Sequence, residues 1–230
     1  MHQAGIREEI IERVIARRGK LHLYDQFDPA RTAVIVIDMQ GTFCDEGSPA
    51  EVPLSRAIVE PINRLNAFVR NAGGRVIWVN HANQSTGDGG SDWRQFFDNF
   101  VADDLRARTI ESLSPGGAGQ QIWAGLDVRN DDIRLLKNRY SALIPGSSTL
   151  ERVLRSLNIS TLLIAGTKTN ICCESTARDA MMMDFDVVMV SDATAALSDD
   201  EHRATLETII QQFGDVLSVD EIAERLTPKD

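Results

Sequence analysis

The stretch TLLIAGTKTNICCESTARDAMMMDFDVVMV (161–190) decides the fold. Thr161–Ala165 is a short apolar run of strand length, and Asp186–Val190 is a second. Between them a turn runs from Gly166 to Ile171, and a helix is expected over Cys172–Met183. Runs that are apolar on every residue suit strands covered on both faces, as in a parallel sheet. Strand, helix, strand in so short a span is one right-handed βαβ unit.

The same alternation extends outward. Upstream, AVIVID (33–38), RVIWVN (75–80) and DIRLLK (132–137) read as strands. Helices are expected over Ser55–Ala72, with Pro61 inside and Gly73-Gly74 closing it, over 91–108 in two pieces, and over Thr149–Leu157. Downstream, Ser198 and Glu201 form a capping box that opens a helix over Asp199–Phe213, and Asp215–Leu217 reads as a last short strand. Polar, Gly-containing stretches at 83–90 and 114–119 read as loops. The expected fold is α/β: a three-layer, doubly wound, Rossmann-like architecture around a mostly parallel sheet of about six strands. Ile10, Ile11, Val14 and Ile15 lie on one side of a helix over 7–18, to be packed on the domain or on a partner subunit. Residues 1–29 are therefore read as an N-terminal helical extension, and 30–226 as a single domain.

Composition bounds the function. The 230 residues are 43% hydrophobic and 25% charged, which is ordinary globular usage and excludes collagen-like and disordered classes. A net charge of −10 repels phosphate backbones, so no nucleic-acid partner is expected. No apolar run approaches the roughly 18 residues of a membrane span. The cysteines are Cys44 and the adjacent pair Cys172 and Cys173, without a C-x-x-C or zinc spacing. Free thiols point to a reducing, cytoplasmic compartment.

In doubly wound sheets, ligands bind beyond the carboxyl ends of the strands. Asp38 closes the first strand, Lys137 closes the third, and Cys172 follows the fourth at the start of a helix. Singly, each has an ordinary reading: a turn-forming aspartate, a solvated lysine, a small buried hydrophobe. Together they make a nucleophilic site. Cys172 is the nucleophile, Asp38 the proton acceptor, and Lys137 the charge that lowers the thiol pKa with help from the helix N-terminus. The turn before Cys172 offers the Lys168 and Cys172 amides to an oxyanion. Such a site suits attack on an amide carbonyl. Phe43, with Cys44, follows the first strand, where it can line the pocket.

Three blocks carry a family resemblance: AVIVIDMQGTF (33–43), KNRYSAL with a following Gly-Ser (137–147), and AGTKTNICCESTARDAMMMDFDVVMVSDATAA (165–196). With them the chain resembles the isochorismatase-like cysteine hydrolases over about residues 30–218. The resemblance implies a triad of Asp38, Lys137 and Cys172, the first thiol of the pair following the Thr-Asn-x run. It further implies a non-proline cis peptide at Thr167–Lys168, beside an oxyanion hole of the Lys168 and Cys172 amides. The metal-binding nicotinamidases of that family carry Asp-x-His after the second strand, where this chain has Val79-Asn80-His81, so neither metal nor cofactor is expected. The motifs look most like the ureidoacrylate amidohydrolase and N-carbamoylsarcosine amidohydrolase branches, which implies substrate contacts from Asn80, His81 and Tyr140. It implies a small amide or ureido substrate and a homodimer or homotetramer. Two other functions stay open: vinyl ether hydrolysis of the isochorismatase type, and a non-catalytic α/β interaction domain.

Overall fold

A computed structural model of the chain describes residues 1–3 and 5–226. Its strands are β1 (Thr32–Ile37), β2 (Arg75–His81), β3 (Ile133–Lys137), β4 (Thr161–Thr167), β5 (Asp186–Ala195) and β6 (Asp215–Leu217). Its longer helices are α1 (Glu8–Arg18), α3 (Val59–Ala72), α4 (Arg94–Phe100), α5 (Asp103–Leu113), α6 (Leu150–Ser156), α7 (Glu174–Met182), α8 (Asp199–Gln212) and α9 (Val219–Leu226); a single turn, α2 (Gly41–Cys44), follows β1.

The six strands form one sheet in the order β3-β2-β1-β4-β5-β6, and each neighbouring pair is parallel. The order reverses between β1 and β4, so the crevice for a ligand opens there. Every residue of β1 is fully buried, because helices cover both faces. Ala33, Ile35 and Ile37 pack into one core with α7 and α8, whereas Val34 and Val36 pack into the other with α3 and α9. This two-sided burial is what the unbroken AVIVI run encodes.

Differences from the sequence reading are local. The expected helix from Ser55 begins as a 3-10 stretch over Pro53–Ile58, and α3 starts at Val59. Pro61 therefore lies in the first helical turn, where its missing N–H removes no intrahelical bond. Strand β5 runs on to Ala195 past a register shift opposite Ile164 and Gly166. Helix α9 lies outside the expected elements; Val219, Ile222 and Leu226 bury its apolar face.

The N-terminal segment packs on its own domain. Ile10 and Val14 of α1 join the core shared with α8, and the Arg7 guanidinium holds Glu207 through two hydrogen bonds of 2.8 and 2.6 Å. His2 stacks on His202 at 4.1 Å between ring centroids and contacts Asp199 at 2.7 Å. Burial, reinforced by His2, lowers the His202 pKa to about 4. An unfolded histidine protonates near 6.5, so the unfolded state takes up a proton first as pH falls, and folding loses stability between those values. We expect His202→Gln to remove about 2–3 kcal/mol of the stability difference between pH 7 and pH 4.5. Denaturant melts at the two pH values measure it; an unchanged difference would refute the assignment.

Candidate active site

Three strand ends converge at the switch point. Asp38 follows β1 with a left-handed backbone (φ 54°), a conformation aspartate tolerates better than most side chains. Lys137, the last residue of β3, reaches across the end of β2 and pairs with Asp38, Nζ to Oδ2, at 2.8 Å. Both side chains are fully shielded from solvent. Cys172 sits in a π-helical turn, Thr169–Cys173, between β4 and α7. Its thiol and the His81 backbone amide also lie within reach of Asp38. Apart from the Lys137 ion pair, neither Asp38 oxygen has a hydrogen-bond partner of good geometry, which leaves lone pairs for an incoming proton.

Local chemistry explains why the chain bends here. Gly166, at φ 111°, lies so close to β1 that a Cβ would collide with the backbone of Ile37. The next peptide, Thr167–Lys168, is cis, as the resemblance implied. Thr176 ties the turn to the segment after β3: its hydroxyl donates to the Cys172 carbonyl at 2.8 Å and accepts the Ala142 amide at 3.1 Å. Glu174 accepts from Thr205 of α8 at 2.7 Å. Gln40 bridges β1, β2 and the loop near 119. It donates to the His81 carbonyl at 3.0 Å and that of Gly119 at 3.2 Å, and accepts the His81 amide at 2.7 Å.

The electrostatics correct one expectation. The thiol is not held as a thiolate. Burial, and then the neighbouring Asp38 charge, push the Cys172 pKa up to about 12 against the weaker pull of Lys137. Burial likewise raises Asp38 above the usual carboxylate range and makes it a stronger base, although Lys137 opposes the rise. Burial alone would lower Lys137, but the Asp38 charge outweighs it and keeps the ammonium protonated.

A cavity of about 130 Å³ opens onto Cys172. Phe43, Trp93, Phe96 and Tyr140 wall it, with Lys168 and Ile171 from the nucleophile turn. Phe43 and Tyr140 thus lie where the sequence reading placed them. Asn80 does not. Its side chain points to the opposite face of the sheet, where it donates to the Gln120 carbonyl at 2.8 Å and lines a separate cavity with Trp123 and Leu126. Successive side chains of a strand face opposite ways, so Asn80 and His81 cannot both face the same site. His81 does border the Cys172 cavity. Lys137 Nζ sits 3.1 Å from Nδ1 and Asn83 Oδ1 sits 2.6 Å from Nε2, so neither ring nitrogen is free for substrate. Cys44 and Cys173 are buried in the core.

Sequence reasoning missed Gln40, Asn83 and Asp92. Asn83 carries the contacts of His81 onward to Asp92 at 2.8 Å. A buried polar residue two positions after a histidine was the available signal. Among the described residues, no group of three or more His, Cys, Asp or Glu side chains is arranged to hold a metal ion. Nor, among them, is any helix long and apolar enough to cross a membrane.

Comparison with known proteins agrees with this geometry. The chain is 30% identical over 213 residues to the ureidoacrylate amidohydrolase RutB of Klebsiella pneumoniae, covering 88% of this chain and 89% of that protein. It is 30% identical over 177 residues to an Arabidopsis thaliana protein described as a probable inactive nicotinamidase, covering 76% and 86%. The crystal structure of a cysteine hydrolase from Pseudomonas syringae pv. phaseolicola superposes with a TM-score of 0.79 at 30% identity, over 90% of this chain and 96% of that one. N-carbamoylsarcosine amidase from Thermoplasma acidophilum shares the fold at a TM-score of 0.65 and 22% identity, over 83% and 97%. The isochorismatase domain family model matches residues 32–221, and the chain belongs to the isochorismatase family.

Proposed function

We propose that the protein is a cysteine amidohydrolase that cleaves the C–N bond of a small amide or ureido compound through a thioester. The observation that carries this reading is the convergence of Asp38, Lys137 and Cys172 beneath one small, ring-walled cavity. The names of RutB and of N-carbamoylsarcosine amidase support the reaction class.

The resting thiol is protonated, so activation and attack occur together. As sulfur bonds to the carbonyl carbon, its proton passes to Asp38. The Lys168 and Cys172 amides receive the oxyanion. Asp38 then hands the proton to nitrogen, the C–N bond breaks, and ammonia or an amine leaves. Water attacks the thioester while Asp38 takes one of its protons; that proton returns to sulfur as the acid departs. Lys137 keeps Asp38 ionised at the start of each half-reaction and offsets the negative charge that grows on sulfur.

Ammonia release from a panel of small primary amides and ureido acids tests the reading. Turnover is expected for a member small enough for the cavity. Failure across the panel, together with vinyl ether hydrolysis, would move the assignment to the isochorismatase type. Failure of both reactions would favour a non-catalytic domain.

A further inference from the structure

Lys137 is an ammonium with three N–H groups and three acceptors beside it: Asp38 Oδ2, an ion-pair contact at 2.8 Å, and two hydrogen-bonded groups, the Arg139 carbonyl at 3.1 Å and His81 Nδ1 at 3.1 Å. The third acceptor is conditional, because an imidazole nitrogen accepts only when it carries no proton. A run of hydrogen bonds fixes that condition. Asn83 directs its amide nitrogen at Asp92 Oδ1 (2.8 Å) and at the Asn138 carbonyl (3.3 Å). A carbonyl oxygen can only accept, so the orientation of the Asn83 amide is pinned. Its oxygen therefore faces His81 Nε2 at 2.6 Å and requires a proton there. Nδ1 is left bare toward Lys137. Parallel register places His81 directly beside Lys137 on the sheet.

We propose that His81 is a positioning residue: a neutral imidazole, proton on Nε2, that anchors the Lys137 ammonium and ties it through Asn83 to the loop carrying the cavity's aromatic wall. That loop is close at hand. Trp93 stacks over the His81 ring at 5.8 Å and 17°, and meets Tyr140 edge-on at 4.7 Å. The Arg139 guanidinium covers Trp93 at 5.1 Å and donates to the Asp92 carbonyl at 3.2 Å. The wall that touches substrate and the charge beside the nucleophile thus share one hydrogen-bonded frame. Lys137 also lies within hydrogen-bonding reach of Cys172, so an ammonium anchored by His81 stands directly beside the nucleophile. Burial and the Lys137 charge hold the His81 pKa well below 6.5, in keeping with a neutral ring.

The inference rests on the reading of Lys137 as part of the catalytic apparatus, so its test has one arm independent of turnover. In 15N-histidine-labelled protein, His81 is expected to show a neutral imidazole protonated on Nε2 from pH 5 to pH 9. A ring that titrates in that window, or that carries its proton on Nδ1, overturns the proposal whatever the enzyme's substrate.

The second arm uses turnover. His81→Phe keeps the ring stacked under Trp93 but removes the acceptor, and a buried N–H left unmatched disfavours the charged form of Lys137. Around that ammonium lie Asp38 just after β1, Cys172 and Cys173 from the π turn, and Arg139 and Tyr140 from the segment after β3. None of these changes in the variant. We expect kcat/KM to fall 10- to 100-fold, mostly through kcat, and its alkaline limb to move down by about one pH unit. His81→Asn, which retains an oxygen near the Nδ1 position, is expected to recover at least tenfold and to return the limb upward. Equal losses in both variants with an unmoved limb would overturn the positioning role even if the resonance behaves as expected.

Discussion

Replacing Lys137 with Met is expected to lower kcat/KM by two to four orders of magnitude and also to destabilise the fold. The first effect follows from charge. Without the ammonium, Asp38 holds a proton more tightly, so the acid limb of the rate profile moves to higher pH and the fraction of competent base falls. The second follows from burial. Asp38 and Lys137 are shielded from solvent on every side, and removal of one member of such a pair strands the other, at about 3–5 kcal/mol. For a chain of this size that is a fall in melting temperature of roughly 6–20 °C. The double variant Asp38→Asn with Lys137→Met is expected to recover much of the lost stability and none of the activity, because it removes the stranded charge but not the chemical deficit. Near-normal turnover in the single variant would strip Lys137 of its role. A melting temperature within a degree or two of the parent would show that solvent reaches the pair.

Cys172→Ala is expected to behave differently: turnover falls by about 10⁴ or more while the melting temperature hardly moves. The reason is the resting thiol. Because burial and Asp38 keep Cys172 protonated, the substitution removes no charge, and the Asp38–Lys137 pair stays balanced. Had the sulfur been an anion stabilised by Lys137, its loss would have unbalanced the buried charges and cost stability. Kinetics and melting curves on this variant therefore address both the nucleophile and its protonation state. Amide hydrolysis that survives would remove Cys172 from the reaction. A fall of more than about 5 °C would return the thiolate to consideration.

The expected strands are legible because burial on both faces forces apolar residues at every position, as in Val34, Ile35 and Val36. The convergence of Asp38, Lys137 and Cys172 is legible because strand ends and order of occurrence locate them relative to a doubly wound sheet. The same two-sided burial erases phase. Val76, Ile77, Trp78 and Val79 are all buried, so nothing in the sequence says whether Asn80 or His81 turns toward the crevice. The thiol's protonation state also eludes sequence, since helix position argues for a thiolate and only the enclosing side chains show that desolvation wins. Helix α9 is a short segment close behind β6, and its apolar spacing becomes meaningful once α3 offers a surface to pack on.

The missing side chain at Gly166 has a consequence for anyone who would redirect this protein by laboratory evolution. Backbone rests on backbone there, so randomising that codon would fill a library with clones that cannot seat the turn. Diversity is better placed at Phe43, Phe96 and Tyr140, whose rings shape the chamber without holding the two halves of the sheet together.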